Sequence, residues 1–257
     1  RAVVEDHFNE LVIDLVNPAG QPERMQLVVR GYNDGFAFCY KIPDGKGPCV
    51  NVQSELTAYN FAGDYTAWFY NGENHNIGPE KLTETDGTRL PVMTVKAGDK
   101  HYMAIHEACL ETGAPLVLQS KGGESLFSVA SKPTSLSPGY TSAWRVVLYG
   151  TTPGVLTDSH LLELLNPDPD SRYDFSWVKP GLAVWDWRIN GAVWDGFTYG
   201  MSYPSWVRMV DFAAEQGFKY LVLDANWYGP EFESDSDPVK GEKAQDVQRL
   251  LKYGKEK

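Results

Sequence analysis

The stretch Pro91-Val-Met-Thr-Val-Lys-Ala-Gly-Asp-Lys-His-Tyr-Met-Ala-Ile-His106 holds two short apolar runs with a polar, glycine-containing segment between them. Runs of this length, bounded by Gly, Pro, Asn and Asp, are typical of β-strands joined by turns. The pattern recurs through the first 150 residues, in the runs 11–15, 26–30, 36–40, 67–70, 115–119 and 143–149. Residues 1–150 are therefore predicted to form an antiparallel β-sandwich.

The sequence changes character after residue 150. The segment 151–176 is predicted to be a linker that contains a short helix over 157–165. Thr157 or Asp158 would cap the start of this helix, and the run Asn166-Pro-Asp-Pro-Asp170 would stop it. The linker separates the sandwich from a second region of different composition.

Two buried-type strands alternate with two helices in that second region. The strands are predicted over 181–185 and 220–224, and the helices over 204–216 and 244–253. Helical spacing predicts these core-facing residues: Trp206, Val207, Val210 and Ala214, then Val247, Leu250 and Leu251. Alternating strands and helices are typical of a parallel α/β sheet or barrel. Because a (β/α)8 TIM barrel needs about 250 residues, residues 177–257 are expected to hold only its first two units.

Composition excludes several classes of function. The formal net charge is −11, so binding to nucleic acid through counterion release has little basis. No run of 18 apolar residues occurs, and no membrane span is predicted. Aromatic residues make up 13% of the chain, including 8 Trp and 14 Tyr. Such residues stack on sugar rings, but they equally fill the core of a β-sandwich.

The three cysteines give no metal motif. Cys39, Cys49 and Cys109 lack the CxxC spacing of zinc sites, and an odd number cannot form a complete disulfide framework. Cys39 and Cys49 flank a turn-rich segment, across which they could pair.

Five strings, occurring in one order, carry a resemblance to a known family. Arg30-Gly-Tyr-Asn-Asp-Gly-Phe-Ala-Phe-Cys-Tyr40 resembles the Arg-x-Tyr-x-Asp-Gly-x-Ala-Phe-Arg-Tyr segment of glycoside hydrolase family 97. The other strings are 51–57, 102–108, 176–181 with Trp185 and Trp187, and 211–217 with 220–228. Together they run along nearly the whole chain.

The resemblance implies a fold and an activity. Family members have an N-terminal antiparallel β-super-sandwich followed by a catalytic (β/α)8 barrel. They hydrolyse α-linked glucosides or galactosides, some inverting and some retaining configuration. The substrate would be an oligosaccharide or an α-glycoside, and the protein a monomer or a homodimer. Export to the periplasm or secretion is also implied, with a signal peptide outside this chain.

The resemblance further implies a calcium (Ca2+) site to which Glu107 contributes a ligand. Calcium takes six to eight hard oxygen ligands, for which a carboxylate is the usual protein donor. Residue type alone favours a solvated or salt-bridged strand residue at Glu107, and the motif reverses that preference. The segment Glu111-Thr-Gly-Ala-Pro115 departs from a more apolar stretch in the family, so the shape of the nearby pocket stays open.

Substrate-binding residues are expected where barrel strands end, because reactive groups of such barrels lie at the carboxyl ends of the strands. The candidates at the end of the first strand are Trp185, Asp186 and Trp187, and those at the end of the second are Asp224, Asn226 and Trp227. A tryptophan here could stack on a sugar or plug the space between sandwich and barrel. Asp224 could bind a sugar hydroxyl or hold the loop after its strand.

Hydrolysis of a glycoside requires two carboxyl groups that flank the scissile bond. In the family these lie on later barrel strands, so no catalytic residue is expected here, and the chain alone is expected to be inactive. The rival interpretation is a non-catalytic carbohydrate-binding β-sandwich, against which the strand–helix alternation after residue 176 argues. A third, a structural or interaction domain, would have no affinity for sugar or calcium.

Overall fold

A computed structural model of the chain describes residues 3–16, 22–70, 72 and 76–257. The chain divides into two compact units, the first ending at Pro169 and the second beginning at Asp170. No helix in the described part of the chain is long and apolar enough to cross a membrane.

The first unit consists of β-strands with two short helices at its end. The strands are β1 (Asn9–Val16), β2 (Pro22–Tyr32), β3 (Gly35–Lys41), β4 (Val50–Val52), β5 (Ala58–Asn60), β6 (Thr66–Tyr70), β7 (Ile77–Lys81), β8 (Asp86–Lys96), β9 (Tyr102–Ala108), β10 (Leu118–Lys121), β11 (Leu126–Val129), β12 (Thr134–Leu136) and β13 (Trp144–Gly150). The helices are α1 (Pro153–Asp158) and α2 (Leu161–Leu164).

Eleven of these strands form one antiparallel sheet within the described residues. Its order is β1-β2-β3-β13-β9-β8-β10-β11-β5, and β6 pairs with both β7 and β8. Strand β8 pairs through residues 86–89 with β10 and through residues 90–96 with β6 and β9. β4 and β12 form a separate pair. The first unit is thus a sandwich-like antiparallel β-domain, which confirms the coarse prediction.

Two apolar cores lie on opposite faces of the central strands. Because successive side chains of a strand alternate in direction, β9 sends Ala104 and Ala108 to one core and Ile105 to the other. The first core contains Leu161 of helix α2, and the second contains the fully buried Phe127. Both faces of β9 are therefore covered.

The second unit contains a parallel pair of strands with helices. Its elements are β14 (Ala183–Trp185), α3 (Asp186–Ile189), β15 (Val193–Trp194), β16 (Phe197–Thr198), α4 (Tyr203–Gln216), β17 (Tyr220–Val222) and α5 (Ala244–Glu256). β14 and β17 are parallel, with Val184 opposite Leu221, and β15 and β16 form a hairpin. The order β14, α4, β17, α5 is the predicted alternation of strand and helix.

The helices cover one face of the parallel pair. Val184 and Leu221 pack against a core that contains Trp206 and Met209 of α4 and Leu250 of α5. Helix α4 ends at Gly217, whose φ of 71° lies in the left-handed region that glycine adopts without strain. This end was predicted from the sequence.

The opposite face of the parallel pair is open. The residues that flank the partly buried Val184 and Leu221 along the two strands include Trp185, Tyr220 and Val222, each of which is more than a third exposed. An apolar face of this kind is normally covered in parallel sheets, because helices or further strands bury both sides.

Three local predictions are wrong. The helix expected over 157–165 is two helices, α1 and α2, and α1 begins after Thr152 with Pro153 as its first residue, where the fixed φ of proline suits a helix. In α4 the buried residues include Met209 and Ala213, whereas Ala214 is exposed. Leu251 of α5 is also exposed.

The cysteines are unpaired. Cys39 is buried, Cys49 is exposed, and Cys109 is partly exposed, and all three thiols are free. The pairing considered for Cys39 and Cys49 is therefore absent.

Candidate functional site

The first polar cluster lies across β13 and β9, where Arg145 stands directly opposite Glu107. The Arg145 guanidinium binds Glu55 through two hydrogen bonds, of 3.0 Å from Nε and 2.7 Å from Nη2. It reaches Glu107 through one contact of 3.3 Å, from Nη1 to Oε2. We call Arg145, Glu55, Glu107 and the neighbouring Tyr59 the Arg145 cluster.

The charged side chains of the cluster are largely buried, and burial affects the pKa values of Arg145 and Tyr59. Burial by itself would lower the pKa of Arg145, but the hydrogen bonds and negative charge of Glu55, with the charge of Glu107, outweigh it and raise that pKa. Burial raises the pKa of Tyr59, and the charge of Arg145 opposes this effect. The Tyr59 hydroxyl has no hydrogen-bond partner among the described residues.

Glu107 is the residue for which the family resemblance implies calcium binding, and its side chain is 12% exposed. Its Oε2 atom also accepts a hydrogen bond of 2.9 Å from the Leu116 backbone N–H. No donor in the described part of the chain contacts Oε1. The donor set therefore fits one calcium ligand, a hard oxygen, although the salt bridge considered for this residue is also present.

The described residues do not by themselves group a complete set of metal ligands. Within residues 3–16, 22–70, 72 and 76–257, no three His, Cys, Asp or Glu side chains are grouped so as to hold a metal ion. His106 does not help, because it points to the opposite face of β9 from Glu107. Its Nδ1 accepts the Glu107 backbone N–H at 2.8 Å, and burial lowers its pKa.

A groove of about 1410 Å3 opens beside the Arg145 cluster. Arg145 and Glu55 lie in its wall, with the rings of Tyr40 and Tyr140. The segment 111–115, which departs from the family sequence, forms another part of the wall. Hydroxyl groups of serine and threonine residues between 131 and 142 complete it.

The second polar cluster lies at the carboxyl ends of β14 and β17. Asp186, the first residue of α3, is only 1% exposed and accepts two hydrogen bonds. The Trp206 Nε1–H donates to Oδ2 at 2.8 Å, and the Asp224 backbone N–H donates to Oδ1 at 2.9 Å. Asp186 thus ties β17 to helix α4. We call Asp186, Asp224, Trp185 and Trp206 the strand-end cluster.

Asp224 uses both of its carboxylate oxygens within the chain. Oδ2 accepts the Trp185 Nε1–H at 2.6 Å, and Oδ1 accepts the Ala225 N–H at 2.7 Å. The Trp185 indole is 37% exposed, and the Arg188 guanidinium lies 5.0 Å from its ring centroid. The arrangement fixes the orientation of an accessible aromatic ring.

The other two predicted substrate residues are not linked to this cluster by hydrogen bonds in the described part of the chain. Trp187 is 53% exposed. Asn226 has a φ of 66° and accepts the Glu231 N–H at 2.9 Å through Oδ1, which ties the loop after β17. Asparagine tolerates this left-handed conformation better than most residues.

Sequence reasoning indicated Asp186 as a candidate pocket residue but missed Glu55 and Arg145, which organise the Arg145 cluster. Asp186 follows a buried-type strand, a position that suggests a functional carboxylate in a barrel. Glu55 lies in one of the family-like strings, but nothing local indicates that it meets Arg145, 90 residues away. Arg145 lies inside an apolar run, where a lone charge is the available signal.

Comparison with known proteins identifies the family. The model of the glycosyl hydrolase 97 N-terminal domain matches residues 1–167. This chain belongs to glycoside hydrolase family 97.

Two curated relatives match most of the chain. It is 27% identical to a retaining alpha-galactosidase from Bacteroides thetaiotaomicron, over 89% of this chain and 40% of that protein. It is 30% identical to a probable retaining alpha-galactosidase from Streptomyces bingchenggensis, over 80% of this chain and 32% of that protein. The chain thus spans less than half the length of these relatives.

Solved structures share the fold. A family 97 enzyme from Pseudoalteromonas sp. strain K8, in complex with acarbose, matches with a TM-score of 0.76 at 24% identity. The match covers 98% of this chain and 41% of that one. A beta-arabinopyranosidase matches with the same TM-score at 19% identity, over 98% of this chain and 42% of that one.

Proposed function

We propose that this chain is the N-terminal part of an α-glycosidase that hydrolyses α-linked galactosides with retention of configuration. Membership in the family and the names of the two curated relatives support this activity. The observation that carries the proposal is the strand-end cluster, which holds an accessible tryptophan where two parallel strands end. Aromatic rings at such positions stack on sugars.

The second unit is, in this proposal, the opening of a (β/α)8 barrel over residues 177–257, joined by the segment 151–176 to a sandwich over 1–150. The open apolar face formed by Trp185, Tyr220 and Val222 supports it, since a closed barrel would turn this face inward. The catalytic carboxylates would come from later strands, and the chain by itself would be inactive.

In the second unit, Trp185 and Trp187 would contact the sugar. Asp224 would orient the Trp185 ring and would not bind the sugar itself, because both of its carboxylate oxygens already accept hydrogen bonds within the chain. Asn226 would fix the loop beside the sugar. Separately, in the first unit, Glu107 would supply one Ca2+ ligand through Oε1. When bound, calcium would polarise a substrate oxygen or orient the acid.

The test of this proposal is an assay of the gene product that contains residues 1–257. The purified protein is incubated with p-nitrophenyl α-galactoside and, in parallel, with the α-glucoside. We expect faster release of p-nitrophenol from the galactoside, and proton NMR that detects α-galactose as the first product. Faster cleavage of the glucoside would replace galactose by glucose in the proposal. Binding of α-galactosides without any hydrolysis would favour a non-catalytic carbohydrate-binding protein.

A variant links the activity to the strand-end cluster. Trp185→Ala is expected to raise KM and lower kcat/KM, while Trp194→Ala, at an exposed hairpin position, serves as the matched tryptophan control. Equal effects of the two substitutions would contradict a specific role for Trp185.

Export to the periplasm or secretion, and a monomeric or homodimeric state, complete the proposal. Cell fractionation of the native organism and light scattering of the purified protein would test them. Retention in the cytosol, or a larger assembly, would contradict these two parts and leave the proposed activity untouched.

A further inference from the structure

The Arg145 guanidinium is divided unequally between two carboxylates. Glu55 receives two hydrogen bonds, of 2.7 Å and 3.0 Å, in the paired geometry that makes arginine–carboxylate contacts strong. Glu107 receives a single contact of 3.3 Å. Most of the attraction of the guanidinium is therefore directed to Glu55.

The cluster carries excess negative charge. Two carboxylates face one guanidinium, so one formal negative charge is left over among side chains that are less than a fifth exposed. Because Glu55 holds the guanidinium more closely, this excess falls on Glu107. Its Oε2 is held by Arg145 and by the Leu116 N–H, while Oε1 has no donor in the described part of the chain.

We propose that Glu55 is a positioning residue that neutralises Arg145 and thereby keeps Glu107 available to bind a divalent cation through Oε1. This inference rests on the proposed function, in which Glu107 is a calcium ligand. Glu55 itself does not contact the cation. Without the charge of Glu55, the guanidinium would be fully available to Glu107 and would repel an incoming cation a few ångströms away.

The experiment uses the purified gene product that contains residues 1–257, with terbium as the probe, since its luminescence is excited through nearby aromatic residues such as Tyr59. Terbium chloride is titrated into the protein, and calcium chloride is then used to displace it. Glu107→Gln is expected to remove the calcium-displaceable signal. Glu55→Gln is expected to weaken terbium affinity about tenfold, as an unscreened positive charge nearby would.

A matched control and a rescue separate charge from structure. Glu80 pairs with Arg89 at 3.2 Å in the same unit, so Glu80→Gln removes an equivalent ion pair and is expected to leave terbium affinity unchanged. The double variant Glu55→Gln with Arg145→Gln removes both charges of the pair. It is expected to restore affinity to the wild-type value or above, which a merely structural defect would not do.

The outcomes distinguish this inference from the function on which it rests. A signal that is unchanged in Glu107→Gln contradicts the calcium proposal itself. A signal that is lost in Glu107→Gln but unchanged in Glu55→Gln overturns the role of Glu55 alone. Weakening in Glu55→Gln without rescue in the double variant also overturns it, because the effect would then follow from altered packing.

Discussion

The two units of this chain bury their strands in different ways. In the first unit, alternate residues of β9 enter two cores on opposite sides of the sheet. In the second unit, Val184 and Leu221 face helices, while Trp185 and Val222 on the other side are exposed. The first unit therefore buries both faces of its strand β9 with its own residues. In the second unit, one face of the parallel pair is not covered by the elements of that unit.

The difference follows from sheet type. Antiparallel strands can be connected by short turns, so one sheet can fold over and cover its own faces. Parallel strands need helical crossovers, which cover one side, and the other side needs a second layer or a closed barrel. The comparison predicts that equivalent substitutions in the two units will reduce the free energy of unfolding by unequal amounts.

The largest effect is expected in the Arg145 cluster of the first unit. Arg145→Met leaves the largely buried carboxylates of Glu55 and Glu107 without their cationic partner, and such a loss typically costs about 3–5 kcal/mol of unfolding free energy. Urea denaturation followed by circular dichroism measures it. Lys96→Met, which removes an exposed and loosely paired lysine, is the control and should cost less than about 0.5 kcal/mol. Similar losses in both variants would show that the cluster contributes no more to stability than an exposed lysine does.

A smaller effect is expected at Asp186 in the second unit. Asp186→Asn keeps the shape but leaves one acceptor oxygen for two donors, Trp206 Nε1–H and the Asp224 N–H. One buried donor then lacks a partner, which costs about 1–3 kcal/mol. Hydrogen exchange should localise the loss to α4 and β17. The control is Asp195→Asn in the exposed hairpin turn, which should leave stability unchanged. If Asp186→Asn also leaves stability unchanged, the buried hydrogen bonds of Asp186 do not stabilise this unit.

A matched pair of valines tests the comparison most directly. Val95 of β8 is fully buried and Val222 of β17 is 44% exposed. Val→Thr keeps the shape and replaces one methyl by a hydroxyl, so Val95→Thr is expected to cost about 1–3 kcal/mol and Val222→Thr less than about 0.5 kcal/mol. Thermal unfolding of both variants of the 257-residue chain measures the difference. Equal losses would mean that the open face of β17 is covered in solution.

The smallest perturbation uses the cysteines as probes of the first unit. Burial raises the pKa of Cys39 to about 11, whereas Cys49 is exposed. Since the thiolate is the reactive form, a thiol reagent at pH 8 should label Cys49 quickly and Cys39 only after unfolding. Mass spectrometry of peptides from timed samples follows both. Rapid labelling of Cys39 in the Cys49→Ser variant would show that the first unit opens readily.

Local chemistry allowed part of the fold to be predicted. The runs 11–15, 26–30, 36–40, 67–70 and 102–106 all fall within observed strands. The end of α4 at Gly217 was also predicted, because glycine accepts the left-handed conformation there. The short strands β4, β5, β7, β11 and β12 were missed, since three to five residues carry little periodicity.

The candidate site was predicted less completely. The sequence indicated Glu107 through the family resemblance, and Trp185 and Asp224 through their places after strands. It did not indicate that Asp224 binds the Trp185 indole, or that Asp186 is almost fully buried. Those facts depend on which strands become neighbours.

The sequence by itself determined the longer elements and the family of this protein, because alternation, turn residues and helix ends are set by residues close together in the chain. The tertiary structure decided which charges meet. Arg145 joins Glu107 from 38 residues away and Glu55 from 90 residues away, through a strand order that no local pattern specifies. Pairing over such distances is set by the topology of the whole sheet, since each strand finds its partner through the packing of the others.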